Sequence, residues 1–105
     1  MKFEATASFL SDHSKLSDSE KAKFRVAVVT LNETYTTHLE SGSEDRPKWP
    51  KSLRIRDVEG APGIWELTWS FSGPDGRATF EYFDEGRERA IRWRRIGGHE
   101  IFKTP

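Results

Sequence analysis

The sequence predicts an α+β domain in which two N-terminal helices pack on one face of an antiparallel β-sheet. Apolar residues recur every three or four positions as far as residue 39, which is the helical period, and they alternate with polar residues from residue 52 onward, which is the strand period. Turn sequences rich in Gly, Pro and Asp separate the predicted strands. At 105 residues, the chain is long enough for one domain, 1–105, with a modest core.

The N-terminal part is predicted to hold a short strand and two helices. Residues 2–6 form the strand, and Thr6 caps the first helix. The apolar positions of that helix are Phe9, Leu10, His13 and Leu16. Ser17 and Glu20 form a capping box at the start of the second helix, which runs from Asp18 to Leu39. Its apolar stripe consists of Phe24, Val28, Leu31, Tyr35 and Leu39. We interpret His13 as a partly buried packing residue.

The C-terminal part is predicted to form a meander of antiparallel strands. The first begins at Ser52, and the second alternates cleanly over 65–71. The third occupies 77–83 and the fourth 90–96. The residues expected to face the helices are Trp65, Leu67, Trp69, Phe80, Tyr82, Ile91 and Trp93. Trp49, in the loop before the first strand, is expected to close one edge of the core.

Composition excludes several classes of function. The chain has no cysteine, which rules out disulfides and thiolate chemistry. Its histidines at positions 13, 38 and 99 lack the spacing of metal ligands, so we expect no metal and no cofactor. With neither a bilayer-spanning run of ~20 apolar residues nor a signal peptide, we expect a cytoplasmic protein that does not bind membranes.

Charge is unevenly distributed along a chain whose formal net charge is zero. Residues 1–45 carry 5 basic and 8 acidic side chains, whereas residues 46–105 carry 12 basic and 9 acidic ones. Local basicity of this kind attracts phosphates, but composition alone favours a solvated sheet surface of mixed charge.

The sheet face that the helices leave uncovered is expected to carry the chemistry. Arg77 begins the third strand, where a phosphate group can approach it, and Arg92 and Arg94 are expected on the same face. His99 follows two glycines and can move a proton near neutral pH. Phe102 is expected to be available for stacking on a base.

These residues also have simpler interpretations. A cross-strand ion pair, for example with Glu81 or Glu66, explains any single arginine better than a ligand does. A surface histidine in a turn explains His99. The arginines and the histidine together favour a surface that binds RNA and cuts it.

Three segments carry a family resemblance: 63–67 (GIWEL), 76–82 (GRATFEY) and 95–100 (RIGGHE). Together with the order of elements over residues 2–102, they resemble the RelE/ParE superfamily of bacterial toxins, which belong to type II toxin–antitoxin systems. The resemblance implies a short strand, two helices and then an antiparallel sheet. The chain departs from the family in being neutral, because members are usually strongly basic.

The resemblance implies a ribosome-dependent mRNA endoribonuclease that works without a metal. Arg77 matches the arginine that binds the scissile phosphate, and His99 matches the residue that assists phosphate binding or proton transfer. The implied RNA contacts are Arg92, Arg94, Arg95 and Phe102. The implied partners are a cognate antitoxin, the ribosome and mRNA. Two alternatives stay open: a ParE-like inhibitor of DNA gyrase, and a degenerate member that only binds a protein partner.

Overall fold

A computed structural model describes residues 2–40, 42, 49–69, 76–85, 88–98, 101 and 104–105, with the backbone alone at positions 39, 52, 69, 85 and 88. The elements in chain order are β1 (Lys2–Ala5), α1 (Ala7–Ser14), α2 (Asp18–Glu40), β2 (Arg56–Asp57), β3 (Trp65–Trp69), β4 (Gly76–Glu85) and β5 (Glu88–Gly97). A single 3-10 turn, Lys51–Leu53, precedes β2.

The strands form one mixed sheet in the order β1-β5-β4-β3-β2. Strands β2 to β5 are antiparallel neighbours, whereas β1 lies parallel to β5 at the sheet edge. The α+β class and the C-terminal meander are thus confirmed, but the prediction of a wholly antiparallel sheet is wrong. The two helices carry the chain from β1 across one face of the sheet, and a crossover of this kind allows parallel pairing.

The strand predicted from Ser52 is much shorter than expected. Residues 51–53 form the 3-10 turn, and Arg54 has a left-handed backbone with φ of 45°. Such a conformation interrupts an extended chain, so only Arg56 and Asp57 pair with β3. Leu53 still reaches the core and is buried.

Helix α1 begins as predicted, with the backbone N–H of Phe9 donating to Thr6 Oγ1 at 3.1 Å. Phe9 is buried, but Leu10 is 59% exposed, so its assignment to the apolar face is wrong. A two-turn helix buries only a narrow stripe, and neighbouring residues lie about 100° apart around its axis. The His13 ring stacks on Phe9 and meets the edge of Phe24, which confirms its interpretation as a packing residue.

Helix α2 starts at the predicted capping box. The backbone N–H of Glu20 donates to Ser17 Oγ at 3.1 Å, and that of Ser17 donates to Glu20 Oε1 at 3.0 Å. These hydrogen bonds hold the pKa of Glu20 below its usual value. The described side chains of the predicted stripe are buried or half-buried: Phe24, Val28, Leu31 and Tyr35.

The core lies between the two helices and one face of the sheet, with Trp93 at its centre. The Trp93 ring lies 5.1 Å from Phe24, 5.4 Å from Phe80 and 6.0 Å from Phe9, measured between centroids. The predicted core residues Leu67, Phe80, Ile91 and Trp93 are buried, and Trp65 and Tyr82 pack at the margin. The side chain of Trp69, also predicted for the core, lies outside the described part of the chain. Core residues that the sequence analysis did not include are Ala27, Leu53, Ala78 and Ile96.

Trp49 packs against the margin of this core, as expected. Its indole Nε1 donates to Tyr82 Oη at 3.0 Å, so the polar atoms of both amphipathic rings are satisfied. In the part of the chain that the structure describes, no helix combines the length and apolar character needed to cross a membrane.

The capping box predicts a measurable effect on stability. Replacing Ser17 with Ala removes the side-chain acceptor for the Glu20 amide and should lower the free energy of unfolding by about 1 kcal/mol. Ser19→Ala, an exposed position in the same helical turn, should change it by less than about 0.5 kcal/mol. Urea denaturation at pH 7 measures both, and equal effects would contradict the capping role.

Candidate functional site

The register of the sheet defines an outer face, the side opposite the helices. Side chains alternate along each strand, and core residues such as Leu67 and Phe80 occupy the helix side. The residues on the outer face form cross-strand rows: Thr68 with Arg77 and Gly97, Glu66 with Thr79 and Arg95, and Glu81 with Arg92 and Glu4. The candidate residues of β4 and β5 therefore belong to one surface.

Arg77 is the second residue of β4 and is half-buried. It lies directly opposite Gly97, which has no side chain to occupy the space beside it. His99 follows Gly97 by two positions in the sequence and lies, like Phe102, outside the described residues. The register thus brings Arg77 to the end of the sheet from which the chain continues toward His99.

Arg92 and Arg94 form an ion-pair network with one carboxylate. Arg92 Nη1 donates to Glu81 Oε1 at 2.8 Å, and Arg94 Nη1 lies 3.5 Å from Glu81 Oε2. Arg92 Nε also donates to Glu4 Oε2 at 3.1 Å. The hydrogen bonds that Arg92 donates to Glu81 and Glu4 raise its pKa. Two guanidinium groups therefore face two carboxylates, which agrees with the interpretation of these arginines as partners in cross-strand ion pairs.

Arg95 binds a carboxylate that the sequence analysis did not associate with it. Its Nε and Nη2 donate to the two oxygens of Asp12 at 2.6 and 3.1 Å, and the backbone N–H of Ile96 donates to Asp12 Oδ2 at 3.2 Å. Burial disfavours ionisation of Asp12, but the hydrogen bonds and the charges of Arg95 and Lys15 together lower its pKa. The pair joins α1 to β5 across 83 positions of sequence, and no local pattern indicates it.

A β-bulge in β5 explains how Arg94 and Arg95 are placed. Thr79 lies opposite Arg95, whereas the next residue, Phe80, lies opposite Trp93, so Arg94 is the extra residue. Beyond the bulge the alternation is reversed, and Ile96 reaches the core instead of the outer face. Strict alternation from the sequence cannot reveal such a step.

The outer face also contains buried polar residues. Glu66, Thr68 and Thr79 are 3%, 4% and 0% exposed. Glu66 forms an ion pair with Arg56 of β2, and not with an arginine of β5. The pair fastens the two-residue edge strand to the sheet.

The C-terminal segment returns to β5. Ile101 is 1% exposed but does not belong to the main core cluster. Arg95 Nη1 donates to the backbone oxygen of Thr104, and Arg94 Nε donates to that of Pro105, both at 3.2 Å. The two arginines therefore bind carboxylates on one side and backbone oxygens on the other.

Comparisons with protein-family models, with curated proteins and with solved structures give no match for this chain.

The Asp12–Arg95 pair predicts a pH-dependent contribution to stability. Asp12→Asn should lower the free energy of unfolding by about 2 kcal/mol at pH 7, because it removes charge-assisted hydrogen bonds to a largely buried carboxylate. The folded state lowers the pKa of Asp12, so wild-type stabilisation is present above the unfolded pKa of about 4 and is lost as pH falls below it.

Urea denaturation between pH 3 and pH 8 tests this expectation, and the difference between wild type and Asp12→Asn should shrink toward acid pH. Asp57→Asn, at an exposed position of β2, serves as the control and should change the free energy by less than about 0.5 kcal/mol. A deficit for Asp12→Asn that stays constant down to pH 3 would contradict the role of the ionised carboxylate.

Proposed function

We propose that this chain is a RelE/ParE-like toxin that cuts mRNA on the ribosome, acts in the cytoplasm and is neutralised by a cognate antitoxin. The observation that carries the proposal is the pairing of Arg77 with Gly97 on the outer face, at the sheet end that leads to His99. The order of a short strand, two helices and an antiparallel meander supports it as well, since the resemblance implies this order.

The proposed reaction is the attack of an RNA 2′-oxygen on the adjacent phosphate. A bond forms between the 2′-oxygen and phosphorus, the bond from phosphorus to the 5′-oxygen breaks, the 2′-hydroxyl loses a proton and the leaving oxygen gains one. The Arg77 guanidinium stabilises the charge that develops on the phosphoryl oxygens, an effect worth about 3 kcal/mol for one well-placed donor. His99 takes or supplies a proton near neutral pH, and the reaction needs no metal.

Binding of the RNA strand is assigned to four further residues: Arg92, Arg94, Arg95 and Phe102. The first three have carboxylate partners in the folded chain, which reduces their attraction for RNA phosphates. Arg77 has the largest role in the proposal because it lies at the end of the sheet opposite Gly97, which is two residues before His99 in the sequence. Phe102 is proposed to stack on a base.

A second candidate function is binding of a protein partner without cleavage of RNA, which is the role of a degenerate family member. The ion pairs of Arg92, Arg94 and Arg95, together with a net charge of zero, favour this candidate, because both weaken attraction to a polyanion. Inhibition of DNA gyrase, as by a ParE-like toxin, is a third possibility that the experiment on Arg77 and His99 distinguishes.

The nuclease proposal predicts that Arg77 is essential for toxicity. Arg77→Ala should abolish growth arrest and lower mRNA cleavage on translating ribosomes about 100-fold or more, because one donor to the phosphoryl oxygens is lost. Arg25→Ala, an exposed arginine of α2, should behave as wild type. Induction in bacterial cells, mapping of mRNA ends and thermal unfolding of the purified variants provide the measurements.

The same experiment distinguishes the alternatives. His99→Ala should also abolish arrest, and a pH–rate profile of the wild type should contain a group that titrates near neutral pH and is missing in this variant. Arrest that persists in Arg77→Ala with a DNA-damage response would indicate gyrase. A wild-type chain that causes no arrest would indicate the partner-binding candidate.

A further inference from the structure

A cleft lies at the sheet edge where β5 extends past the end of β1 and meets α1. It has a volume of about 130 Å³ and is lined by Thr6, Ser8, Arg94, Arg95, Thr104 and Pro105. This volume holds several water molecules or one larger polar group. Thr6 is held beside β5, since its N–H donates to the Trp93 carbonyl and its hydroxyl donates to the Arg94 carbonyl.

The β-bulge brings two neighbouring arginines to this one cleft. In a regular strand, consecutive side chains point to opposite faces of the sheet. Because Arg94 is the extra residue opposite the Thr79–Phe80 step, Arg94 and Arg95 both line the cleft. Bulges of this kind are known to redirect side chains next to functional sites.

Each guanidinium donates both to a carboxylate and to a backbone oxygen at the cleft. Asp12 accepts from Nε and Nη2 of Arg95 and fixes its orientation, while Nη1 donates to the Thr104 backbone oxygen. In the same way, Nη1 of Arg94 faces Glu81 and Nε donates to the Pro105 backbone oxygen.

We infer that this cleft binds a phosphoryl group, whose oxygens replace the backbone oxygens of Thr104 and Pro105 on Arg94 and Arg95. An anionic oxygen attracts a guanidinium more strongly than a neutral carbonyl such as that of Thr104 does, and a phosphoryl group can accept two parallel hydrogen bonds from one Arg. None of the described residues that line the cleft has an acidic side chain. Ser8 is exposed at the rim and adds a hydroxyl donor.

The phosphoryl site stands without the proposed function, and only its assignment to an RNA strand rests on that proposal. If the chain is a nuclease, the group is a backbone phosphate of the message. If it is not, the group belongs to free phosphate or to a nucleotide. The chemistry of recognition is the same in both cases.

Substitution of Ser8 tests the inference without disturbing the arginines. Ser8→Asp places a negative charge at the cleft, while its position in the first turn of α1 favours an acidic residue and preserves the helix. Ser19→Asp makes the same change at the equivalent exposed position of α2, away from the cleft. The full-length proteins are titrated with inorganic phosphate, and the Ser8 amide and the Nε–H signals of Arg94 and Arg95 are followed by NMR.

We expect saturable shifts of these signals in the wild type and in Ser19→Asp. In Ser8→Asp, repulsion between like charges should lower the affinity for inorganic phosphate about tenfold. Arg94→Gln should weaken binding by a similar factor. Arg77→Ala should retain phosphate binding, so failure of the nuclease proposal and failure of this site can be told apart. Absence of saturable shifts in the wild type, or equal affinities in Ser8→Asp and Ser19→Asp, would overturn the inference.

A second titration with a single-stranded RNA trinucleotide identifies the source of the phosphoryl group. Shifts of the same signals with higher affinity than for inorganic phosphate, again weakened in Ser8→Asp, support an RNA backbone phosphate. Binding of inorganic phosphate alone supports a small-anion site and overturns the RNA assignment.

Discussion

Strand β5 determines how the other elements are arranged, because three of them bind its backbone directly. Strand β4 pairs along one side of it, and β1 pairs along the other from Lys2 to Ala5. Where β1 ends, the Thr6 N–H continues the pairing with the Trp93 carbonyl at 2.9 Å, and Asp12 of α1 accepts from the Ile96 N–H. These contacts pair backbone N–H and C=O groups, whose burial without a hydrogen-bond partner would lower the stability of the fold.

Trp93 links this backbone framework to the hydrophobic core. Its ring contacts aromatic residues from both helices and from β4. Phe3 of the edge strand β1 also stacks on it, at a centroid distance of 6.2 Å. Burial of a ring of this size is among the larger single contributions to a small core. Trp93 therefore fixes both the position of β5 and the packing of α1. These two elements in turn form the cleft beside Arg94 and Arg95.

Features encoded by neighbouring residues could be predicted from the sequence, and features that depend on distant pairing could not. The Ser17–Glu20 capping box and the buried face of β4 follow from local spacing. The parallel place of β1, the left-handed Arg54 and the bulge at Arg94 depend on tertiary contacts that leave no periodic signal. For the candidate site, the sequence indicated the arginines and the option of Glu81 as a partner, but the partner of Arg95 is 83 positions away.

The parallel pairing of β1 also has a consequence for the order of folding. Residue 2 pairs with residue 90, and the side chains of Glu4 and Arg92 meet across 88 positions of sequence. During translation, β1 has no partner until β5 has left the ribosome, although α2 can already form. Closing so long a loop has an entropic cost before any contact compensates it. The edge strand therefore cannot join the sheet before residues 90–93 have been made, and until then Phe3 lacks its contact with the Trp93 ring.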